Sequence, residues 1–366
     1  MKILDAYILK KFFSTMVFIF ALLLLIFIVI DVNEKYNRLS SSNLGIFDAL
    51  QHYYPYFTLW AINNFFSIII FISVILFTSR MANQTEIVAI ISSGVSFYRF
   101  SRPYFIGAIL IASLSFITNH YVLAWSNIKK NEFNTKYLLY QRQKNEYQQS
   151  QQINSQLSPT EYLFINSYNR ISKDGNGLLY QQFDDRNTLI HEIRADQIVW
   201  NDSDSAYMLK NYFERYPGLG AQNDNLIQGS ELRQKFKFTP DELLPESYVA
   251  ETMNSLQLKQ FIANEKVKGS GNINKYLAEF YKRTSLPVSI IILCILALSL
   301  SSNKRRGGLG LNLALGITIA FVFIFSFQAL LVFAESGAIS PLMAVWLPNF
   351  IFGALAVYLY FKRALS

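Results

Sequence analysis

Six long apolar runs constrain the fold of this chain more than any other feature of its sequence. Three precede a long polar stretch and three follow it, and they cover residues 12–30, 57–77, 104–125, 286–301, 311–334 and 343–361. A helix of about 20 residues rises about 30 Å, which is the thickness of the hydrocarbon core of a bilayer. Only helices or closed barrels satisfy every backbone polar group in lipid. We therefore expect an α-helical membrane protein with six transmembrane helices, three plus three.

The polar stretch, residues 125–283, contains 20 Lys and Arg against 19 Asp and Glu. About 160 residues with balanced charge, scattered Gly and Pro and alternating aromatic residues suffice for a hydrophobic core of their own. We therefore expect one extramembrane domain inserted in the middle of the chain. The predicted boundaries are 1–127 for the first three helices, 128–275 for the inserted domain with helical flanks, and 276–366 for the last three helices.

The net charge of +8 is high enough to suggest a nucleic-acid-binding protein, but its distribution argues against this class. Eleven basic residues stand in short segments next to the apolar runs, against only two acidic residues on the same side. They are Lys2, Lys10, Lys11, Arg80, Arg99, Arg102, Lys304, Arg305, Arg306, Lys362 and Arg363. By the positive-inside rule both termini are cytoplasmic, and the inserted domain lies on the opposite side of the membrane.

After Pro159 the pattern becomes that of β-strands. Short aromatic-rich runs, separated by turn residues, occupy residues 162–168, 178–183, 189–200 and 207–216. From residue 232 to residue 238 the basic residues 233, 235 and 237 alternate with Leu232, Gln234, Phe236 and Phe238, which predicts a further strand with one solvated face. Several strands at this spacing favour an all-β domain in the form of a β-sandwich, jelly roll or barrel.

Helical segments flank the predicted strands. Residues 128–156 are rich in Gln, Asn and Lys and indicate an extension of the third helix. Ser255 is positioned to cap a short amphipathic helix over residues 256–264. Residues 269–271, Gly-Ser-Gly, indicate a hinge before the fourth apolar run.

The sequence lacks the motifs of common catalytic and nucleotide-binding sites. It contains no G-x-x-x-x-G-K-[ST], no H-E-x-x-H, no C-x-x-C and no G-x-S-x-G, and its three histidines are far apart. The centres of the six runs contain no Asp, Glu, Lys or Arg, whereas an intramembrane enzyme or a proton-coupled carrier normally has ionisable groups there. We therefore expect no catalytic residue, no metal site and no cofactor in this chain, and we expect a partner to supply the energy for any transport.

Four segments carry a resemblance to a known family. Residues 276–287, YLAEFYKRTSLP, lead into an apolar helix that ends at the basic residues 304–306. The other segments are residues 4–8, LDAYI; residues 85–94, which begin TEIV and end in Gly; and residues 346–349, WLPN. Together, and in this order over the whole chain, they resemble the permease subunits of the lipopolysaccharide exporter, the LptF/LptG (YjgP/YjgQ) family. The opening segment looks more like LptG than LptF.

The resemblance implies a subunit of an ABC exporter in the inner membrane of a Gram-negative bacterium. In such an exporter two permeases pair, and a cytoplasmic ABC ATPase dimer binds ATP and drives them. The inserted domain is then a periplasmic β-jelly-roll that passes lipopolysaccharide to a periplasmic bridge protein. A single-helix accessory subunit is a further implied partner, whereas nucleic acid is not.

The connector of residues 80–102 contains the implied contact with the ATPase. Glu86 resembles the acidic residue of the family's coupling helix, and Arg80 stands at the start of the same connector. The alternative for Glu86 is a helix cap, because Asn83 precedes it by three residues, which is the spacing of a capping box.

Lys35 and Arg38 follow the first apolar run, where the family places basic residues against lipid phosphates. The alternative is that both are solvated charges. The acidic Asp31, directly after the run, departs from the family pattern.

Two further sets of residues have competing interpretations. The alternating phenylalanines of the fifth run resemble a lining for acyl chains, with Phe321 and Phe325 as candidates; the alternative is ordinary contact with the bundle or with lipid. Glu279 and Arg283 stand four residues apart, which predicts a helix-surface pair contributing roughly 0.2 to 0.5 kcal/mol.

The sequence thus predicts a permease subunit that extracts lipopolysaccharide from the inner membrane and makes no covalent change in it. The alternative from another class is an adaptor protein, in which the helices only anchor a periplasmic β-domain that binds other envelope proteins. A secondary carrier is a third possibility.

Overall fold

The structure, a computed structural model, describes residues 3–41, 45–138, 151–169, 172–218, 224–236, 238–243, 248–268, 272–303 and 308–365. Among the predicted features, Lys2, Lys237, the hinge at 269–271 and the basic residues 304–306 lie outside the described residues. The chain forms two compact units. One comprises Met1–Leu138, Ala250–Leu258 and Asn274–Ser366, and the other comprises Leu139–Val249 and Lys259–Ile273. The domain boundaries predicted from the sequence stay predictions.

The first half of the helical unit contains three long apolar helices joined by short ones. The helices are α1 (Ile3–Ser41), α2 (Ile46–His52), α3 (Tyr54–Asn83), α4 (Glu86–Ser92), α5 (Phe97–Ile117) and α6 (Leu123–Phe133). A π-helical turn, Thr118–Val122, joins α5 to α6, and a second one, Asn134–Leu138, follows α6. The continuous helix over α5 and α6 is the third span.

The first span is longer than its apolar run because polar residues extend it at both ends. Residues 3–41 contain no Gly or Pro, so nothing interrupts the helix. At its far end the i,i+4 pairs Asp31–Lys35 and Glu34–Arg38 lie along the helix surface.

The second unit contains one antiparallel sheet. Its strands are β1 (Gln151–Ser158), β2 (Glu161–Asn169), β3 (Asp174–Phe183), β4 (Leu189–Asn201), β5 (Ala206–Tyr216) and β6 (Asn225–Gln234), and each pairs with the next in sequence. The four predicted aromatic-rich strands are all present, and the inserted all-β unit is confirmed. Within the described residues the strand order, which the sequence left open, is that of a meander.

Two details of this unit differ from the prediction. The helix predicted over 128–156 is wrong from Gln151 onward, because β1 pairs with β2 there and inserts Ile153 into the core. The strand predicted through Phe238 ends at Gln234. Phe236 and Phe238 leave the strand because their rings stack 5.0 Å apart and cover the core of the sheet.

Three short helices follow the sheet: α7 (Pro240–Leu243), α8 (Val249–Thr252) and α9 (Ser255–Val267). The cap predicted at Ser255 is wrong, because Asn254 fills this role. The Gln257 backbone N–H donates to Asn254 Oδ1 at 2.9 Å, and the Asn254 N–H donates to Gln257 Oε1 at 3.0 Å. This reciprocal pair is a capping box, and it leaves the Ser255 hydroxyl available for contacts with other helices.

The last three spans are α10 (Ile273–Ser301), α11 (Gly308–Glu335) and α12 (Pro341–Leu365). In the described part of the chain, six helices are long and apolar enough to cross a membrane, three before the sheet and three after it. The three-plus-three prediction is therefore confirmed. The spans share one core, which includes Phe12, Phe71, Tyr104, Leu293 and Phe352.

Candidate functional site

The carboxylate of Glu86 lies against the start of α1. Tyr7 Oη donates to Glu86 Oε2 at 2.8 Å, and Lys11 Nζ is 3.0 Å from both carboxylate oxygens. Glu86 is the first residue of α4, and the residue before it, Thr85, has a left-handed backbone with φ 60° and makes no side-chain cap. The capping interpretation with Asn83 is therefore wrong, because the carboxylate is directed to α1 instead.

A second ion pair joins α1 to the same connector. Arg99, in the first turn of α5, donates from Nη1 and Nη2 to the two carboxylate oxygens of Asp5 at 2.7 and 2.8 Å. Such bidentate, charge-assisted pairs are the strong kind of hydrogen bond. Arg80, at the end of α3, is exposed. Two ion pairs thus join the connector to α1. The acidic residue is Glu86 of the connector in one pair and Asp5 of α1 in the other.

At the opposite end of α1, Lys35 is neither solvated nor isolated. Its Nζ donates to Asp31 Oδ1 at 2.7 Å and to the Tyr53 hydroxyl, and it lies 4.4 Å from the centre of the Tyr53 ring. The Lys35 side chain is only 14% exposed. The solvated-charge interpretation is therefore wrong for Lys35, and Asp31, which departs from the family pattern, is its counterion.

Two tyrosines complete this cluster. Tyr54 Oη donates to Asp31 Oδ2 at 3.0 Å. Burial and the Asp31 charge raise the pKa of the Tyr53 hydroxyl, so Tyr53 is neutral at any physiological pH. Arg38 lies one turn beyond, with Nη2 3.6 Å from the exposed Glu34 carboxylate. Each basic candidate at this end of α1 therefore has an acidic residue four positions before it.

A basic pocket of about 440 Å³ opens beside this cluster. It is lined by Gln51, His52, Tyr56, Lys129, Glu132, Phe133, Lys136 and Tyr137. The ring of Phe133, from the pocket wall, lies 5.3 Å from the ring of Tyr53. The pocket and the Lys35 cluster are thus neighbours within the helical unit. The sequence did not indicate this, because their residues come from α1, α2, α3, α6 and the π-helical turn after α6.

The alternating phenylalanines of α11 divide between two faces. Phe321 and Phe325 are 66% and 65% exposed, and their rings lie 6.1 Å apart. Phe323 and Phe327 are buried in the bundle. A helix places residues four apart on one face, so only Phe321 and Phe325 are available to acyl chains or to another protein.

Arg283, which was predicted to lie on a helix surface, is buried and only 3% exposed. Its guanidinium donates to the backbone oxygens of Ala250 and Met253 at 2.9 and 2.8 Å and to Ser255 Oγ at 3.1 Å. Its Nε also lies 3.8 Å from Glu279. The prediction of a weak surface pair is wrong, because the segment Ala250–Leu258 covers the pair and takes up the remaining guanidinium donors.

The segments that carried the family resemblance meet in pairs. The LDAYI opening contacts the connector through Asp5 and Tyr7. The YLAEFYKRTSLP segment contacts WLPN, since Asn349 Nδ2 donates to Ser285 Oγ at 2.7 Å and Ser285 Oγ donates to the Val345 oxygen at 2.9 Å. Segments that are far apart in sequence therefore form two contact sites in the helical unit.

Within the described residues no group of three or more His, Cys, Asp or Glu is arranged to hold a metal ion. The expectation that the chain takes no cofactor stays a prediction.

Comparison with known proteins identifies the family. The family model described as "Lipopolysaccharide export system permease LptF/LptG" matches residues 6–362, which include the inserted sheet and all six spans except the first three residues of the first span and the last three of the sixth. The chain has no match among curated proteins. Members of this family are the non-catalytic transmembrane subunits of an ABC transporter. The chain therefore belongs to the LptF/LptG family and is a permease of the lipopolysaccharide export system.

Proposed function

We propose that this permease works in a pair with a second permease, driven by a cytoplasmic ATPase dimer that docks on α4, and that lipopolysaccharide enters between the pair along α1 and α11. The acyl chains then contact the exposed face of α11 at Phe321 and Phe325. Both termini face the cytoplasm, and the β unit lies in the periplasm. The chain is LptG-like rather than LptF-like, on the similarity of its opening segment.

The observation that carries the proposal is the contrast in burial among the spans. The buried share of the most apolar 18-residue stretch differs from span to span. It is 56% in α3 and 67% in α10, but only 6% in α1 and 22% in α11. Helices α3 and α10 therefore form the centre of the bundle, whereas α1 and α11 present apolar faces outward. Such faces fit lipid chains or a second permease.

The basic pocket and the Lys35 cluster support a head-group site at the outer end of α1. The pocket contains Lys129 and Lys136, and Lys35 and Arg38 stand on the adjacent helix. Phosphates of a lipid head group can displace the carboxylate partners of these cations, because both kinds of group accept charge-assisted hydrogen bonds. When no lipid is bound, Asp31, Glu34 and Glu132 offset three of these four cations, since Glu132 pairs with Lys129 at 3.0 Å.

The sheet supports the transfer of lipid to a periplasmic bridge. Among the described strands, β1 and β6 are the edges of the sheet, and most residues of β6 are exposed. An exposed edge strand offers unpaired backbone groups to a strand of another protein.

The test of this proposal is purification of the permease, in detergent, from cells that express it. We expect a cytoplasmic ATPase and a second permease to co-purify, and we expect lipopolysaccharide to stimulate ATP hydrolysis by the complex. A control with a phospholipid that lacks the lipopolysaccharide head group should stimulate much less. Purification of the permease with envelope proteins only, and without an ATPase, would favour the adaptor alternative instead.

We predict that Lys35→Glu/Arg38→Glu raises the lipopolysaccharide concentration for half-maximal stimulation about tenfold or more, because two attractive contacts to phosphate become repulsive. The measurement is a titration of ATP hydrolysis with lipopolysaccharide. Lys259→Glu/Lys266→Glu, which makes the same charge change at exposed positions of α9, should shift the titration by less than about twofold. Equal titration curves for the two double variants would contradict the head-group assignment.

A further inference from the structure

Helix α1 connects the two ends of the helical unit without interruption. It has 39 residues and no Gly or Pro, and at 1.5 Å per residue it is about 58 Å long. Lys11, which contacts Glu86, and Lys35, in the cluster next to the basic pocket, both belong to it. An axial shift or a tilt imposed at one end of such a helix reaches the other end, because its backbone hydrogen bonds run from end to end.

The short helix α4 is defined by turns at both of its ends. Thr85 has φ 60° and Gly94 has φ +86°, so the chain changes direction before and after α4. Of its seven residues only Ile87 is buried. Ile87 packs in the core of the helical unit, with Ile90 and Ile91 at its edge, and Glu86 supplies the polar contacts of α4 with α1.

The contacts between the connector and α1 are polar, directional and distributed over two turns of α1. Asp5 binds Arg99 in bidentate fashion, and Tyr7 and Lys11 bind Glu86. Asp5 is buried, and Lys11 and Glu86 are partly buried, so solvent screens these contacts less than ordinary surface ion pairs. They join α1 to both α4 and α5.

We infer that Asp5, Tyr7, Lys11 and Arg99 are positioning residues that hold the connector of residues 80–102 against α1. Displacement of α4 by the docked ATPase then moves α1, and this movement opens or closes the site around Lys35. The inference rests on the proposed docking of the ATPase at α4. The inference goes beyond docking because it assigns a role to the LDAYI segment, residues 4–8. Asp5 and Arg99 perform this role without contacting the ATPase.

The test is a charge exchange at the Asp5–Arg99 pair in the complete complex with its ATPase. Asp5→Arg and Arg99→Asp each place like charges together, and each should lower the lipopolysaccharide-stimulated component of ATP hydrolysis about tenfold or more. The double variant Asp5→Arg/Arg99→Asp restores an opposite-charge pair and should recover activity to within about threefold of the unmodified complex. The milder Asp5→Asn keeps the shape of the side chain and should give an intermediate loss even if a charge reversal disturbs folding.

A second readout separates positioning from a merely structural role. Spin labels at Tyr36→Cys, on the outer end of α1, and Met343→Cys, at the start of α12, lie at exposed positions, and Cys294→Ala removes the native thiol. In the complex, addition of ATP should change the distance between the labels. The change should be absent in Arg99→Asp and present again in the charge exchange.

The outcomes distinguish the inference from the function on which it rests. Two outcomes would show that the positioning role is wrong while docking at α4 stands, provided that the ATPase co-purifies with every variant. In one, lipopolysaccharide stimulates ATP hydrolysis normally in the single variants. In the other, the charge exchange fails to restore this stimulation. If the unmodified permease retains no ATPase, the proposed function itself is wrong. Arg186→Asp, the same substitution at an exposed arginine in the turn between β3 and β4, is the control and should stay within about twofold.

Discussion

Glu86→Lys is expected to abolish retention of the ATPase by the purified permease. The substitution places an ammonium group beside Lys11, which now lies 3.0 Å from the carboxylate, and removes the acidic residue that begins α4. Loss of a charge pair at an interface costs about 2 to 5 kcal/mol, so binding of the ATPase should weaken at least about 30-fold. The measurement is the amount of ATPase that co-purifies with equal amounts of inserted permease.

Two further variants of the permease and one of the ATPase define what this result means. Glu86→Gln keeps an acceptor for the Tyr7 hydroxyl but removes the charge, so we expect an intermediate loss. Glu335→Lys makes the same charge reversal at an exposed position at the end of α11 and should retain the ATPase. A compensating Arg→Glu in the ATPase should partly restore the Glu86→Lys complex. Normal retention of the ATPase by Glu86→Lys would exclude docking through this residue.

Arg283→Met is expected to destabilise the helical unit by about 2 to 6 kcal/mol, because each of the two backbone oxygens that loses its donor costs about 1 to 3 kcal/mol. The substitution leaves the backbone oxygens of Ala250 and Met253 without their guanidinium donor and leaves Glu279 with one cation fewer. Methionine fills much of the volume of the arginine, so the loss reports on polar contacts rather than on a cavity.

The measurement is thermal unfolding of the full chain in detergent, followed by the change in helical circular dichroism. Arg233→Met removes an arginine that is 53% exposed and pairs with Asp204 at 2.7 Å, and it should cost less than about 1 kcal/mol. The two variants make the same chemical change and differ in burial. An effect of Arg283→Met no larger than that of Arg233→Met would show that the guanidinium contacts contribute little to stability.

The architecture of this protein follows largely from local patterns. The six spans are apolar over the length that a bilayer requires, and each satisfies its backbone hydrogen bonds within itself, so no information from the rest of the chain is needed to find them. The β-strands of the inserted unit follow from alternation and turn residues in the same way. The prediction failed where neighbouring structure overrides local preference, as at Gln151, where β1 pairs with β2, and at Phe236, which leaves the strand to cover the core.

The partners of the charged residues were decided by tertiary structure alone. The sequence identified Glu86, Lys35 and Arg283 as noteworthy. It offered a capping role for the first and a solvated position for the second as alternatives, and it assigned a surface position to the third. Glu86 meets Lys11, 75 residues earlier, and Arg283 meets Ala250, 33 residues earlier. A charge in a sequence specifies neither its counterion nor its burial, because both depend on which helices pack together. Hydrophobic length and periodicity therefore determined the fold from the sequence, whereas helix packing decided which ions pair and which faces stay open to lipid.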